Sequence, residues 1–237
     1  PGVTRFSQGD EVYGDNLGLK GGFAQFAVAP ASVLAPKPGS LTFAQASTLP
    51  QAGPIALQGT ASVGPGSRVA VNGAGGGSGS LAVQLAKAAG AHVTAVDNAG
   101  KLDFLRSLGA DAVVDHRVED VTRLGPFDLV LDLVAHRSVR DYRRALAPGG
   151  RYLAVGGSVS TMLSLLTAGT VLGRVSGRRL GVLAVKPGPD HFIPLEARCA
   201  SGEVRIHIDR EVSLDEVPEA LASVGEGRVL GKVVVTP

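Results

Sequence analysis

Residues 68–87, RVAVNGAGGGSGSLAVQLAK, join a short apolar run to a helical pattern through a turn made almost entirely of glycine. No other stretch of the chain restricts its fold as tightly. Backbone free of side chains can bring peptide N–H groups against a phosphate, and the first turn of the following helix adds partial positive charge at the same point. A dinucleotide pyrophosphate suits such a turn. Glycine-rich turns also occur without a ligand, so the surrounding pattern has to decide.

That pattern is an alternation. From Arg68 onward, apolar runs at 68–72, 92–96, 112–114, 127–133, 151–155 and 180–185 are separated by helical segments. The first helix places Ala82, Leu85, Ala86 and Ala89 on one face and stops at Gly90. The second carries Leu102, Leu105 and Leu108 and stops at Gly109, and the third carries Val139, Tyr142 and Leu146 before Pro148-Gly149-Gly150. Repeated strand–helix–strand units pair in parallel through right-handed crossovers, which predicts an α/β fold with a doubly wound parallel sheet of the Rossmann type over residues 56–189.

The flanks read differently. Residues 1–40 hold strand-like runs at 11–13 and 23–28 between Gly and Pro punctuation, the end of a β-rich domain. Residues 42–61 read as helical, with Pro50 and Pro54 interrupting the pattern. After the alternation ends come a helix over 190–201, a strand over 206–212, a capping box at Ser213 and Glu216, a helix, and a strand over 231–236. The chain therefore returns to its first domain, giving 1–55 with 190–237 as one unit and 56–189 as the other.

Composition excludes several partner classes. Charged residues make up 19% and the formal net charge is +2, with no long basic run, so nucleic acid is not an expected partner. The longest apolar stretch, 162–172, is too short to span a bilayer, and no membrane association is expected. One cysteine, Cys199, leaves no disulfide framework and no cysteine-rich zinc lobe, and fits a cytoplasmic setting. Cys199 shares a helical stripe with Phe192 and Leu195 and reads as a core thiol. The first residues look cut from a longer sheet, so an N-terminal segment is expected to be missing.

Within the opening turn, Ala74, Gly76 and Gly79 occupy the three dinucleotide fingerprint positions, with Gly77 and Ser78 between them. Gly76 allows close approach to a pyrophosphate and Gly79 lets the helix pack on its strand. Asp97, followed by Asn98, ends the second strand 18 residues after Gly79, where an acid can accept from the adenosine ribose or cap the next helix. Lys101 can neutralise a 2′-phosphate or be an ordinary solvated residue, so NADH and NADPH both stay open. The five histidines show no metal-ligand spacing, and Arg174, Arg178 and Arg179 fit either a phosphate-bearing substrate or a solvated loop.

AGGGSGSLAVQLAK, GAHVTAVDNAGKLDFLRSLGADAVVDH and FDLVLDLVAHRSVRDYRRALAPGGRYLAVGG, with GDEVYG, GGFAQFAVAP and GKVVVTP, resemble the medium-chain dehydrogenase/reductase superfamily over nearly the whole chain. Within it the chain is similar to the zinc-independent quinone oxidoreductase, or zeta-crystallin-like, branch. The resemblance implies that the flanking unit is part of a GroES-like catalytic domain and that the protein is a homodimer. It also implies that Lys101 contacts the adenosine phosphate in NADPH-using members. His116 would lie beside the adenine, and Leu133, Val134, Val155, Gly156 and Ser158 would line strand ends that flank the nicotinamide. Zinc-dependent relatives insert a lobe where residues 15–22 run on directly, and draw a ligand from a segment, 42–60 here, that contains no Cys, His, Asp or Glu. Asp97, Ala135 and Ile55 depart from residues frequent in the branch.

The expected function is hydride transfer from a nicotinamide to a small-molecule quinone, enone or related carbonyl, without zinc and with no catalytic residue assigned. Two alternatives remain at this level: an S-adenosylmethionine-dependent methyltransferase, which also uses a glycine turn and an acid, and a catalytically silent nucleotide-binding protein.

Overall fold

The computed structural model describes residues 4–18 and 21–237. Residues 1–3, where the chain's opening looked abrupt, and 19–20, within the direct passage expected over 15–22, lie outside the described residues. The chain packs as two units, Pro1–Pro54 with Lys186–Pro237, and Ile55–Val185.

The first unit begins with β1 (Val12–Gly14) and β2 (Leu34–Pro36), an antiparallel pair with Tyr13 opposite Ala35. Residues 23–28, expected as a strand, form none, and Phe23, Phe26 and Val28 are exposed. An apolar run gives a strand only when a neighbouring strand takes up the backbone bonds. A capping box between Thr42 and Gln45 opens α1 (Phe43–Ser47), and α2 (Leu49–Thr60) follows with Pro54 inside it.

The second unit alternates as expected: β3 (Arg68–Asn72), α3 (Gly77–Ala88), β4 (His92–Asp97), α4 (Leu102–Ser107), β5 (Ala112–Asp115), β6 (Phe127–Asp132), α5 (Val139–Ala145), β7 (Leu146–Ala154), α6 (Val159–Ser164), a π-helical turn (Leu165–Gly169), α7 (Thr170–Val175) and β8 (Arg179–Val182). The sheet runs β5-β4-β3-β6-β7-β8 and every neighbouring pair is parallel. β7 starts five residues before the apolar run at 151–155 suggested. Leu146 already pairs with Phe127, and a register shift before Arg151 absorbs Pro148 and Gly149. The strand order reverses direction between β3 and β6, so the carboxyl ends of those strands border the crevice where such sheets bind ligands. Val69, Val71 and Leu131 of these strands are fully buried.

The chain then returns to the first unit through α8 (Pro194–Ala200), β9 (Ile208–Val212), α9 (Val217–Gly225) and β10 (Lys232–Val235), with β9 and β10 parallel. Tyr13 packs edge-on against Phe192, ring centroids 4.9 Å apart, and its hydroxyl donates to Glu196. A Cβ on Gly53 would come within 2.6 Å of Leu195, so glycine in α2 lets α8 pack close.

Candidate dinucleotide-binding site

The turn after β3 works through what its glycines leave out. A Cβ on Gly79 would lie 2.3 Å from the carbonyl oxygen of Gly73 and 2.6 Å from the Cα of Ala74. One on Gly75 would lie 2.5 Å from Cδ of Lys101. A Cβ on Gly76 would meet only the Gly73 carbonyl at 3.6 Å, so this glycine keeps open space in front of the backbone. Ala74 is wholly buried. Gly76 is the N-cap of α3, has no side chain to offer as a cap, and no acid stands in the first turn. The first helical bond runs from Ser80 N–H to the Gly76 carbonyl, leaving the N–H groups of Gly77, Ser78 and Gly79 at a helix start suited to an anion.

Asp97 braces this turn. Its Oδ2 accepts from Gly75 N–H at 2.8 Å, and its Oδ1 accepts from the backbone N–H and the side-chain amide of Asn98 at 2.9 and 3.2 Å. Lys101 Nζ stands 3.5 Å from the same Oδ1, and both side chains are about nine-tenths buried. Four donors thus converge on a carboxylate with about four lone-pair positions. The solvated reading of Lys101 is therefore corrected: its alkyl stem packs on Gly75 and its charge balances Asp97. Asp97 is not the cap of the next helical turn either, because Asn98 fills that role by accepting from Gly100 N–H.

The other expected positions lie at the carboxyl ends of β3, β4 and β6. His116 is exposed, and its backbone N–H donates to the Asp97 carbonyl at 3.0 Å, so it sits beside the end of β4. Leu133 N–H donates to Asn72, Val155 N–H donates to the Asp132 carbonyl, and Ala135 N–H donates to Gly156. A Cβ on Gly156 would meet the Leu133 carbonyl at 2.5 Å, which explains glycine there. Val134 is half exposed, and its side chain lies 3.4 Å from where a Gly73 Cβ would be, so the glycine turn and this strand end are neighbours. Ser158 uses its hydroxyl as the N-cap of α6, accepting from Thr161 N–H.

A buried network beneath these ends escaped the sequence. Asp132 is fully buried; its Oδ1 accepts from the Asn72 amide at 2.8 Å and from Val134 N–H at 3.1 Å, and its Oδ2 accepts from the Tyr152 hydroxyl at 2.9 Å. Tyr152 stacks on Tyr142 with centroids 3.9 Å apart. The Tyr142 hydroxyl in turn accepts from the N–H groups of His136 and Arg137. Burial and then the Asp132 charge push the Tyr142 hydroxyl up to about 12, and the same two causes raise Tyr152 further. The only sequence signal was a polar residue near the end of each of two apolar runs, 60 positions apart, which the parallel register sets side by side.

Cys199 is half-buried, and burial followed by the charge of Glu196 pushes its thiol up to about 11, which leaves it unreactive at neutral pH. Arg178 donates to the carbonyls of Leu146 and Ser176, while Arg174 and Arg179 are exposed. Among the described residues no group of three His, Cys, Asp or Glu side chains is placed to hold a metal. No helix among them is long and apolar enough to cross a membrane.

A family model described as zinc-binding dehydrogenase matches residues 108–235. A chloroplast envelope quinone oxidoreductase homolog from Arabidopsis thaliana is 30% identical over all of this chain and 75% of its own length. The chain belongs to the medium-chain dehydrogenase/reductase family, among its quinone-oxidoreductase-like members. A 2-methylene-furan-3-one reductase of Solanum lycopersicum is 33% identical over 99% of this chain, which spans 59% of that relative. The solved quinone oxidoreductase of Coxiella burnetii superposes with a TM-score of 0.79 at 29% identity, over 88% of this chain and 65% of its own. The chain thus spans roughly three-fifths to three-quarters of these family members.

Proposed function

We propose that this chain binds a nicotinamide dinucleotide and takes part in hydride transfer to an electron-poor small molecule such as a quinone or an enone. The observation that carries the reading is the glycine turn, open in front of Gly76 and locked from behind by Asp97 and Lys101. Backbone N–H groups of Gly77, Ser78 and Gly79 would take the pyrophosphate, and Asp97, Asn98, Lys101 and His116 would surround the adenosine. Leu133, Val134, Val155, Gly156 and Ser158 would flank the nicotinamide, with Asp132 fixing the backbone of Val134 from below. When bound, the nicotinamide supplies a hydride from C4, and the acceptor takes that hydride and a proton from water to give the oxidised cofactor and a reduced product.

Zinc-independence is part of the proposal. The segment 42–60 offers no Cys, His, Asp or Glu from which a metal ligand could be drawn. Without a Lewis acid, an acceptor that is already electron-poor is favoured over a simple alcohol or ketone. The homodimer belongs to the proposal as well: β8 leaves one edge of the sheet unpaired, as an added strand requires. A cytoplasmic setting completes it. The methyltransferase alternative fits less well, because all six strands of the sheet run parallel and no reversed terminal strand joins it among the described residues.

Between the two cofactors, NADH fits better. Lys101 already balances Asp97 at 3.5 Å, and a 2′-phosphate would have to break that buried pair and lie against the carboxylate. Oxidation of NADH and NADPH by a panel of quinones and enones tests the activity, and absence of binding to either cofactor would sink it. Replacing Asp97 with Ser should weaken NADH more than NADPH. An unchanged ratio would reduce Asp97 to a brace of the turn.

A further inference from the structure

We infer that the unit Ile55–Val185 carries a second binding surface, a subsite for the tail of the acceptor, and that this tail is an apolar chain ending in a phosphate or carboxylate. The inference rests on the nicotinamide placement proposed above. A groove of about 1220 Å³ opens between the start of α5 and the segment formed by α6, the π-helical turn and α7. It begins where the proposed nicotinamide flank ends. Ala135 and Gly157 form a backbone bridge, Met162 of α6 lies 3.0 Å from where a Gly157 Cβ would be, and His136 and Ser160 are the next residues out. Its volume exceeds the roughly 300–1,000 Å³ typical of a small-ligand cleft, so a quinone or enone ring alone would leave most of it empty.

Charge and polarity select the occupant. His136, Arg137 and Arg140 line one wall, and no Asp or Glu lines any part of the groove. Arg137 is partly neutralised by Asp120 at 2.5 Å, and Asp141 is taken up by Ser138 and Arg144. Arg140 is exposed and has no ion-pair partner among the described residues. The ring of His136 uses Nδ1 on the Val134 carbonyl, which leaves Nε2 for a ligand. The facing wall carries the hydroxyls of Ser164 and Thr167, and Val139 and Leu172 supply apolar surface. The π-helical turn widens the backbone at Leu165–Gly169, and its Thr167 and Ala168 both line the groove. An apolar bed beside an unneutralised guanidinium complements a hydrocarbon chain with an anionic end.

Binding measured on the full chain separates this inference from the cofactor reading. Isothermal titration with monomeric octyl phosphate and with octan-1-ol should show the phosphate binding at least about ten-fold more tightly. Arg140→Glu should erase that difference, and Ala168→Trp, at an exposed groove position, should block both probes; unchanged melting temperatures exclude unfolding of either variant. NADH affinity should stay within about two-fold in Arg140→Glu. With acceptors sharing one quinone ring, the variant should raise KM for the one bearing an anionic alkyl tail while its kcat and the neutral quinone's KM hold. Equal affinity for the two probes, or octyl phosphate binding that ignores Arg140→Glu, would overturn the subsite. So would binding to anionic phospholipid vesicles without binding to the monomeric probe. Loss of NADH binding by the unmodified chain, with octyl phosphate still bound, would instead overturn the cofactor reading.

Discussion

Gly79 and Asp132 are single residues whose roles are set by ångström-scale distances, and each yields a measurement. A methyl group at Gly79 has only the Gly73 carbonyl and Ala74 backbone to meet, at 2.3 and 2.6 Å, and neither can swing aside. Gly79→Ala should therefore push α3 off β3, cost about 1–3 kcal/mol in urea unfolding and weaken dinucleotide binding at least about ten-fold. Gly76→Ala meets only one atom at 3.6 Å, so its folding stability should be nearly unchanged while its cofactor affinity falls. Asp132 has no water to turn to when a donor is lost. Tyr152→Phe removes one of its three donors and should cost about 1–3 kcal/mol. In Asp132→Asn/Tyr152→Phe the loss should be smaller than the sum of the singles, because the two groups share one bond.

At the scale of elements, Asp111 ties three together. It accepts from Lys87 of α3 at 2.8 Å and from Val93 N–H of β4, and it stands just ahead of β5. Burial alone would raise its pKa, but the Lys87 hydrogen bond, the Val93 N–H and the Lys87 charge together hold it below the ordinary carboxylate value. A folded-state pKa below the unfolded one contributes stability that is present above the unfolded pKa and is lost as pH falls through the folded one. The stability advantage of the natural chain over Asp111→Asn should accordingly shrink as pH falls through and below the ordinary carboxylate range in denaturant titrations. A constant difference across that range would mean the carboxylate's charge plays no part. The helices and parallel strands of this unit were legible in the sequence because apolar runs bounded by glycine set them locally. The sequence suggests a strand at 23–28 and the structure forms none, because pairing is not local; Phe26 stands exposed.

For the molecule as a whole, the sheet order predicts where motion is least. β3 and β6 lie in the middle of the six strands with both neighbours in place, whereas β8 and β5 have one open edge each. Amide hydrogen exchange should be slowest at Val69–Val71 and Leu129–Leu131 and faster along Arg179–Val182. Leu131→Ala, at a fully buried position against Gly59, should cost about 2–5 kcal/mol and speed exchange throughout Ile55–Val185.

The sequence by itself determined the parallel sheet, the glycine turn at the head of α3 and the residue types of a candidate dinucleotide site. Each of these rests on contacts within a few residues or on the period of a strand or helix. The tertiary structure decided what those residues are tied to. Asp97 and Lys101 became one buried pair holding Gly75, although each had looked like a rival vote on the cofactor. Asn72, Asp132 and Tyr152 became one network, and the groove beside Arg140 took shape from helices that the chain reaches only after another strand. Hydrogen bonds and ion pairs act over about 3 Å whatever the separation along the chain, so only the folded register reveals which side chains meet.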